Sequence, residues 1–110
     1  MNIREQIRKV LRESTMMNIR LRRRLNMLDY EVEYRLSAVY RPNIICNYKS
    51  GEELLEVVAE EAIESMYWNY FTDIDDDSGE WDEMYHDMFK YIKNKHGNKI
   101  KEYYHINCGN

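Results

Sequence analysis

The chain has 110 residues, 44% of them apolar and 33% charged, with a net charge of −4. That length holds one domain with one modest core and no separate cofactor domain, and the apolar share excludes a disordered chain. No run of about eighteen apolar residues is present to span a membrane, and the opening residues lack the apolar stretch of a secretory signal.

The opening "NIREQIRKVLRES" places Ile3, Ile7, Val10 and Leu11 on one helical face, with Arg4, Arg8, Lys9 and Arg12 elsewhere. This predicts a basic N-terminal helix over 1–14, interrupted by Ser14 and Thr15. Met17, Leu21, Leu25, Leu28, Val32, Leu36 and Val39 carry the same spacing onward and predict a helix over 17–40. A strand competes at 30–40, where Tyr30, Val32, Tyr34, Leu36, Ala38 and Tyr40 alternate with polar residues. The helix is preferred, because its period continues from upstream and no turn signal intervenes.

Pro42 ends that element, since the residue before a proline avoids helical angles. In the connection that follows, Ile44, Ile45 and Tyr48 are expected to enter the core. Ser50 with Glu53 three residues later forms a capping box ahead of an apolar run. A helix is therefore predicted over 50–71, with Leu54, Leu55, Val58, Ala62, Met66 and Tyr70 inward. Glu52, Glu53, Glu56, Glu60, Glu61 and Glu64 are expected to face water.

The joint "FTDIDDDSGEW" holds five acidic residues. An EF-hand frame starting at Asp73 fits at Asp75 and Asp77, then fails at Ser78 and Met84, where a glycine and a bidentate glutamate are needed. The better reading is a helix cap by Asp77, with Glu80 completing the box. Trp81, Met84, Tyr85, Met88, Phe89 and Ile92 then predict a helix over 81–96, stopped at Gly97. The tail is either a short helix through Tyr104 or an extended arm. The expected fold is all-α: one small helical bundle over 1–110, with a strand near 30–40 as the α+β alternative.

The chemistry-bearing residues form no known catalytic or cofactor pattern. There is no glycine-rich phosphate loop, no G-x-S-x-G and no H-E-x-x-H. His96, His105, Cys108 and Cys46 match no zinc-finger spacing, and only His105-x-x-Cys108 comes close. We expect no metal, no cofactor and no catalytic residues. Two cysteines make no disulfide framework, and a reduced setting is the default reading, with one bridge left open. Ten tyrosines against two phenylalanines suit a thin core whose walls touch water.

The charge is segregated. Residues 1–28 carry a balance of +6, residues 29–89 of −14, and residues 90–110 of +4. Arg4, Arg8, Arg12, Arg20, Arg22, Arg23 and Arg24 are the candidate binding residues. They either pair with the acidic middle, in the same chain or a second subunit, or meet a protein partner, or bind nucleic-acid phosphates. No aromatic residue is interleaved in 1–28, which weighs against base stacking. The segment lacks the Trp or Phe anchors of a membrane-surface helix.

The segments "MNIREQIRKVLRES", "SGEELLEVV", "DIDDDSGEW" and "EYYHINCGN" resemble small uncharacterised proteins of tailed bacteriophages, of the kind found in marine metagenomes. The resemblance covers most of the chain and brings no activity with it. It implies a viral protein located in the host cytoplasm or the virion. Some large tailed phages carry an N-terminal packaging leader cut after an aliphatic-x-Glu signal, and Leu11-Arg12-Glu13 before Ser14 is similar. Ile3-Arg4-Glu5 and Leu54-Leu55-Glu56 fit that signal too, so 1–14 reads first as an ordinary amphipathic helix. The function expected is non-enzymatic: an accessory or virion-associated protein acting through protein contacts, with itself or another chain. A nucleic-acid-binding protein is the alternative.

Overall fold

Two long helices run through the centre of the protein, α4 (Gly51–Tyr70) and α5 (Glu80–Cys108). Three shorter ones surround them: α1 (Ile19–Arg22), α2 (Leu25–Tyr34) and α3 (Pro42–Ile45). The computed structural model describes residues 17–109, and no strand occurs among them. The predicted first helix, its leader alternative, and Arg4, Arg8 and Arg12 lie outside the described residues.

The region 30–40 is helical, as preferred over the alternating reading. The continuous helix expected over 17–40 is nevertheless broken. Arg24 has non-helical backbone angles between α1 and α2, and its guanidinium lies 4.3 Å from the ring centre of Tyr70. The seven-residue stripe is thus divided: Leu21 lies on α1, Leu25, Leu28 and Val32 on α2, and Met17, Leu36 and Val39 outside both. Leu21, Leu28 and Val32 are fully buried, whereas Val39 is exposed. After α2 the chain widens into one π-helical turn (Arg35–Val39), closed by a 2.7 Å bond from Tyr40 N–H to Arg35 O. The extra residue in that turn shifts the helical phase. Tyr40 swings inward and is buried.

Short α3 starts at Pro42 and buries Ile45, but Ile44 faces out, contrary to expectation. With only one turn available, adjacent isoleucines cannot share a face. Ser50 caps α4 by accepting from Glu53 N–H at 3.2 Å, while the Glu53 carboxylate takes the amide of Lys49. The inward face of α4 includes Leu54, Leu55, Val58, Ala62 and Met66 as read, with Ala59 and Ile63 in addition. Tyr70 is only half-buried.

The acidic joint is anchored from within. Phe71 and Ile74 are buried and hold its ends to the core. Asp75 caps a 3-10 turn (Asp76–Ser78) by accepting from Asp77 N–H at 3.0 Å. The cap expected from Asp77 is not formed. Gly79, at φ +75°, is the residue before α5, and the Ser78 hydroxyl accepts from Glu80 N–H at 3.1 Å. The left-handed angle at Gly79 turns the chain sharply into the helix, so the capping oxygen comes from Ser78. The Glu80 carboxylate is used elsewhere: it accepts from Asn18 Nδ2 at 3.0 Å, tying α1 to the start of α5.

Gly97 does not stop α5, which continues for 11 more residues to Cys108. Gly97 is buried against Leu55 of α4, and the residues beyond it have their own burial to gain. Ile100 is fully buried, and the hydroxyls of Tyr103 and Tyr104 donate to the carbonyls of Tyr40 and Tyr48 at 2.9 and 2.7 Å. These tertiary contacts outweigh a local helix-stop signal worth about 1 kcal/mol. The two cysteines, left open by the sequence, form a disulfide between Cys46 and Cys108 with a Cα–Cα distance of 5.3 Å. That bond clamps the end of α3 onto the end of α5. It sits uneasily with a reduced setting.

Candidate functional site

Three groups of side chains outside the apolar core have the composition of a site. The first is a polar cluster between α2 and α5. His96 is the one buried polar residue among those described, at 4% exposure. Its Nε2 lies 2.7 Å from Asp29 Oδ1, while Lys95 Nζ and the Tyr91 hydroxyl donate to Asp29 Oδ2 at 2.7 and 3.1 Å. A carboxylate only accepts, so Nε2 carries the proton. Burial pushes the Asp29 pKa up, but the bonds from Lys95, His96 and Tyr91 prevail and hold it below the usual carboxylate value. Burial raises the Tyr91 phenol, and the bonds to Asp29 and Tyr91 raise the Lys95 ammonium. Every member is answered by another, which makes the cluster a latch between two helices. No described groove is lined by any of the four. From sequence, His96 stands as a weak zinc-type ligand set against packing or plain exposure, and its bond to Asp29 is not legible. A lone histidine in the phase of Met88, Ile92 and Ile100 is the signal that places it inside.

The second group is the arginine cluster. Arg20 donates to the carbonyl of Tyr70 at 3.2 Å and to Asp73 at 2.7 Å. The bond from Arg20 holds the Asp73 carboxyl below its usual range. Arg20 also lies 5.4 Å from the Phe71 ring centre, beside the stack of Arg24 on Tyr70. Two of the candidate arginines are therefore engaged with the C-terminal end of α4 and the acidic joint. Arg22 and Arg23 are on the surface.

The third group is aromatic and exposed. Trp68 is 67% exposed, with Tyr30 at 61% and Tyr34 at 50%. Tyr34, Val39 and Trp68 border an open groove of about 410 Å³ between the π-helical turn and α4, with Arg35, Glu61 and Glu64 on its rim. Tyr30 stacks on Tyr34 at 6.1 Å, and both border a neighbouring groove of about 590 Å³ that reaches Lys99 and Tyr103 of α5. A third groove, of about 360 Å³, lies between α4 and α5, lined by Glu60, Ile63, Glu64, Tyr67, Trp81 and Tyr85. Glu64 belongs to two of these grooves, and Tyr34 to another two, so the three are contiguous. Helical phase foreshadows this surface: Trp68 is two residues past Met66, which turns it about 200° away from the core face.

Among the described residues no three His, Cys, Asp or Glu side chains converge to hold a metal. Cys108, half of the one near-zinc spacing, is in the disulfide. No described helix is long and apolar enough to cross a membrane. Comparison with protein-family models, with curated proteins and with solved structures finds no match to this chain.

Proposed function

We propose that this is a small phage-encoded accessory or virion-associated protein that works by contacting another protein, without catalysis. The observation that carries this reading is the exposed aromatic face of Trp68, Tyr34, Tyr30 and Val39. Large apolar side chains gathered around a groove mark association surfaces, and Trp and Tyr dominate binding hot spots. The polar cluster supports the non-enzymatic half of the proposal, because Asp29, Tyr91, Lys95 and His96 satisfy one another away from the grooves. The disulfide favours the virion over the host cytoplasm, since such bonds persist on virion surfaces and in other oxidising places. Arg20 and Arg24 serve the fold, which speaks for protein contact over the nucleic-acid alternative.

Size-exclusion chromatography with light scattering, at low and high salt and with a short DNA duplex, tests the proposal. Self-association, or a complex with a virion protein, that is lost in Trp68→Ala with Tyr34→Ala supports it. A monomer that shifts only with the duplex at low salt, and no longer shifts when Arg22, Arg23 and Arg24 become Ala, replaces it with nucleic-acid binding.

A further inference from the structure

We infer that the groove between α4 and α5 receives arginine side chains from a partner protein, by stacking them on Trp81 and Tyr85 between the carboxylates of Glu60 and Glu64. The inference rests on the reading of this chain as a protein-binding protein and names the chemistry of the partner.

The groove is built from two helical stripes. Glu60 and Glu64, four apart, and Ile63 and Tyr67, also four apart, form two adjoining rows along α4. Trp81 and Tyr85, four apart on α5, face them. Ile63 is fully buried and forms an apolar floor. Tyr67 meets Trp81 edge-on at 4.8 Å, and Trp81 meets Tyr85 edge-on at 6.4 Å. The rings are thereby fixed in angle before any ligand arrives. Trp81 and Tyr85 are half-buried, so parts of both rings remain open to a visitor.

The two glutamates decide the class of that visitor. Glu60 and Glu64 are exposed, and neither makes a hydrogen bond or ion pair among the described residues. Other carboxylates on this molecule are taken: Glu61 by Tyr40, Glu31 by Arg35, Asp73 by Arg20 and Asp29 by His96. The field of Glu60 is felt in the groove: after burial, its charge is what raises the phenol of Tyr85. That hydroxyl stays protonated. Aromatic faces attract cations, most strongly where an acid stands beside them. A groove of about 360 Å³ admits one or two long side chains. Arginine suits it better than lysine, because a planar guanidinium stacks on a ring and offers paired donors to carboxylates at the same time.

The test uses the full chain labelled with ¹⁵N. Its two tryptophans give two indole signals, and Trp68→Phe assigns them. The probe is the blocked peptide acetyl-Gly-Leu-Arg-Gly-Arg-Leu-Gly-amide, with a citrulline version that keeps the shape and removes the charge. The expected result is a saturable shift of the Trp81 indole by the arginine peptide, at least tenfold weaker with citrulline. Glu60→Gln with Glu64→Gln is expected to weaken it at least tenfold. Glu33→Gln with Glu102→Gln makes the same charge change elsewhere and is expected to leave it unaltered. A silent Trp81 indole overturns the inference. So does equal binding of the citrulline peptide, or an equal loss in both double variants, which would mean diffuse attraction to an acidic protein. A virion partner that binds through Trp68 and ignores Glu60 and Glu64 sinks this inference alone and leaves the proposed function standing.

Discussion

His96 Nε2 and Asp29 Oδ1 lie 2.7 Å apart, although the two residues are separated by 67 positions. The pair joins α2 to α5 at the one place where, among the described residues, a buried polar side chain interrupts the apolar core. Asp29→Ala leaves the buried His96 N–H without an acceptor and is expected to cost about 1–3 kcal/mol. Lys95→Ala, which removes an exposed partner of the same carboxylate, is expected to cost less. The urea midpoints of the two variants decide this, and equal losses would argue against a latch centred on His96. The Asp29 pKa is lowered on folding. Its contribution is therefore present above about pH 4 and fades as the pH falls through the folded value. The gap in stability between the native chain and Asp29→Ala should narrow on acidification.

Alkali is expected to attack the fold from the opposite side. Burial, and then the 2.6 Å bond to Glu61, raises the Tyr40 phenol far above its normal value. Tyr85 and Tyr91 are raised as well, chiefly by burial. The folded chain holds protons that the unfolded chain releases near pH 10. Stability is thus fully present below about pH 10 and declines above it. Tyr40→Phe should flatten part of that decline and cost about 0.5–1.5 kcal/mol at neutral pH. Thermal melts from pH 8 to 11 would show it, and an unchanged slope in Tyr40→Phe would refute the assignment to Tyr40.

Two glycines in helices should respond in opposite directions. A Cβ on Gly51 would lie 2.9 Å from Lys101 Cα, a backbone atom that can yield only if α4 shifts along α5. Gly51→Ala should destabilise by about 1–3 kcal/mol. A Cβ on Gly97 would meet Leu55 Cδ2 at 3.6 Å, an ordinary contact. Gly97→Ala should stabilise by up to about 1 kcal/mol through helix propensity and a less free unfolded chain. Chemical denaturation of the pair reads both signs at once.

The disulfide closes a loop between residues 62 apart in sequence. On the chain-entropy account a loop of that length contributes about 4 kcal/mol. Cys46→Ser with Cys108→Ser, or reduction of the native chain, should lower the urea midpoint accordingly. The effect should appear at both ends of the tie, as loss of amide protection in α3 and in the last turns of α5. A midpoint that ignores reductant would show that the contacts of Tyr103 and Tyr104 suffice without the bond.

What was legible from sequence is what local pattern controls. Ser50, Glu53 and the stripe from Leu54 to Met66 act within a few residues of one another, and α4 formed as read. The choice of helix at 30–40 held for the same reason. Features set by distant partners were invisible. Gly97 looks like a stop until Leu55 and Ile100 are known to flank it. Asp77 looks like a cap until Gly79 takes a left-handed angle and Ser78 supplies the oxygen. At the break, Arg24 stacks on a ring, Tyr70, that lies far along the chain. The acidic stripe was visible, but its division into engaged Glu61 and unengaged Glu60 and Glu64 depends on Tyr40 and the π-helical turn. The outward Trp68 follows from phase alone, once Met66 is taken as the inner face.

The bond between Cys46 and Cys108 also alters how the molecule bears a load. For a pull between Met17 and Gly109, the covalent path runs from residue 17 to 46, crosses the sulfur bridge and leaves at 108. Helices α4 and α5 hang on that path as a closed ring and carry no tension. Only the arm containing α1, α2, the π-helical turn and α3 would stretch. Cutting the bridge would add 62 residues to the tether, roughly 200 Å when fully extended. The groove between α4 and α5 would hold its shape under a force that strips away the arm, while the two grooves that Tyr34 borders would open.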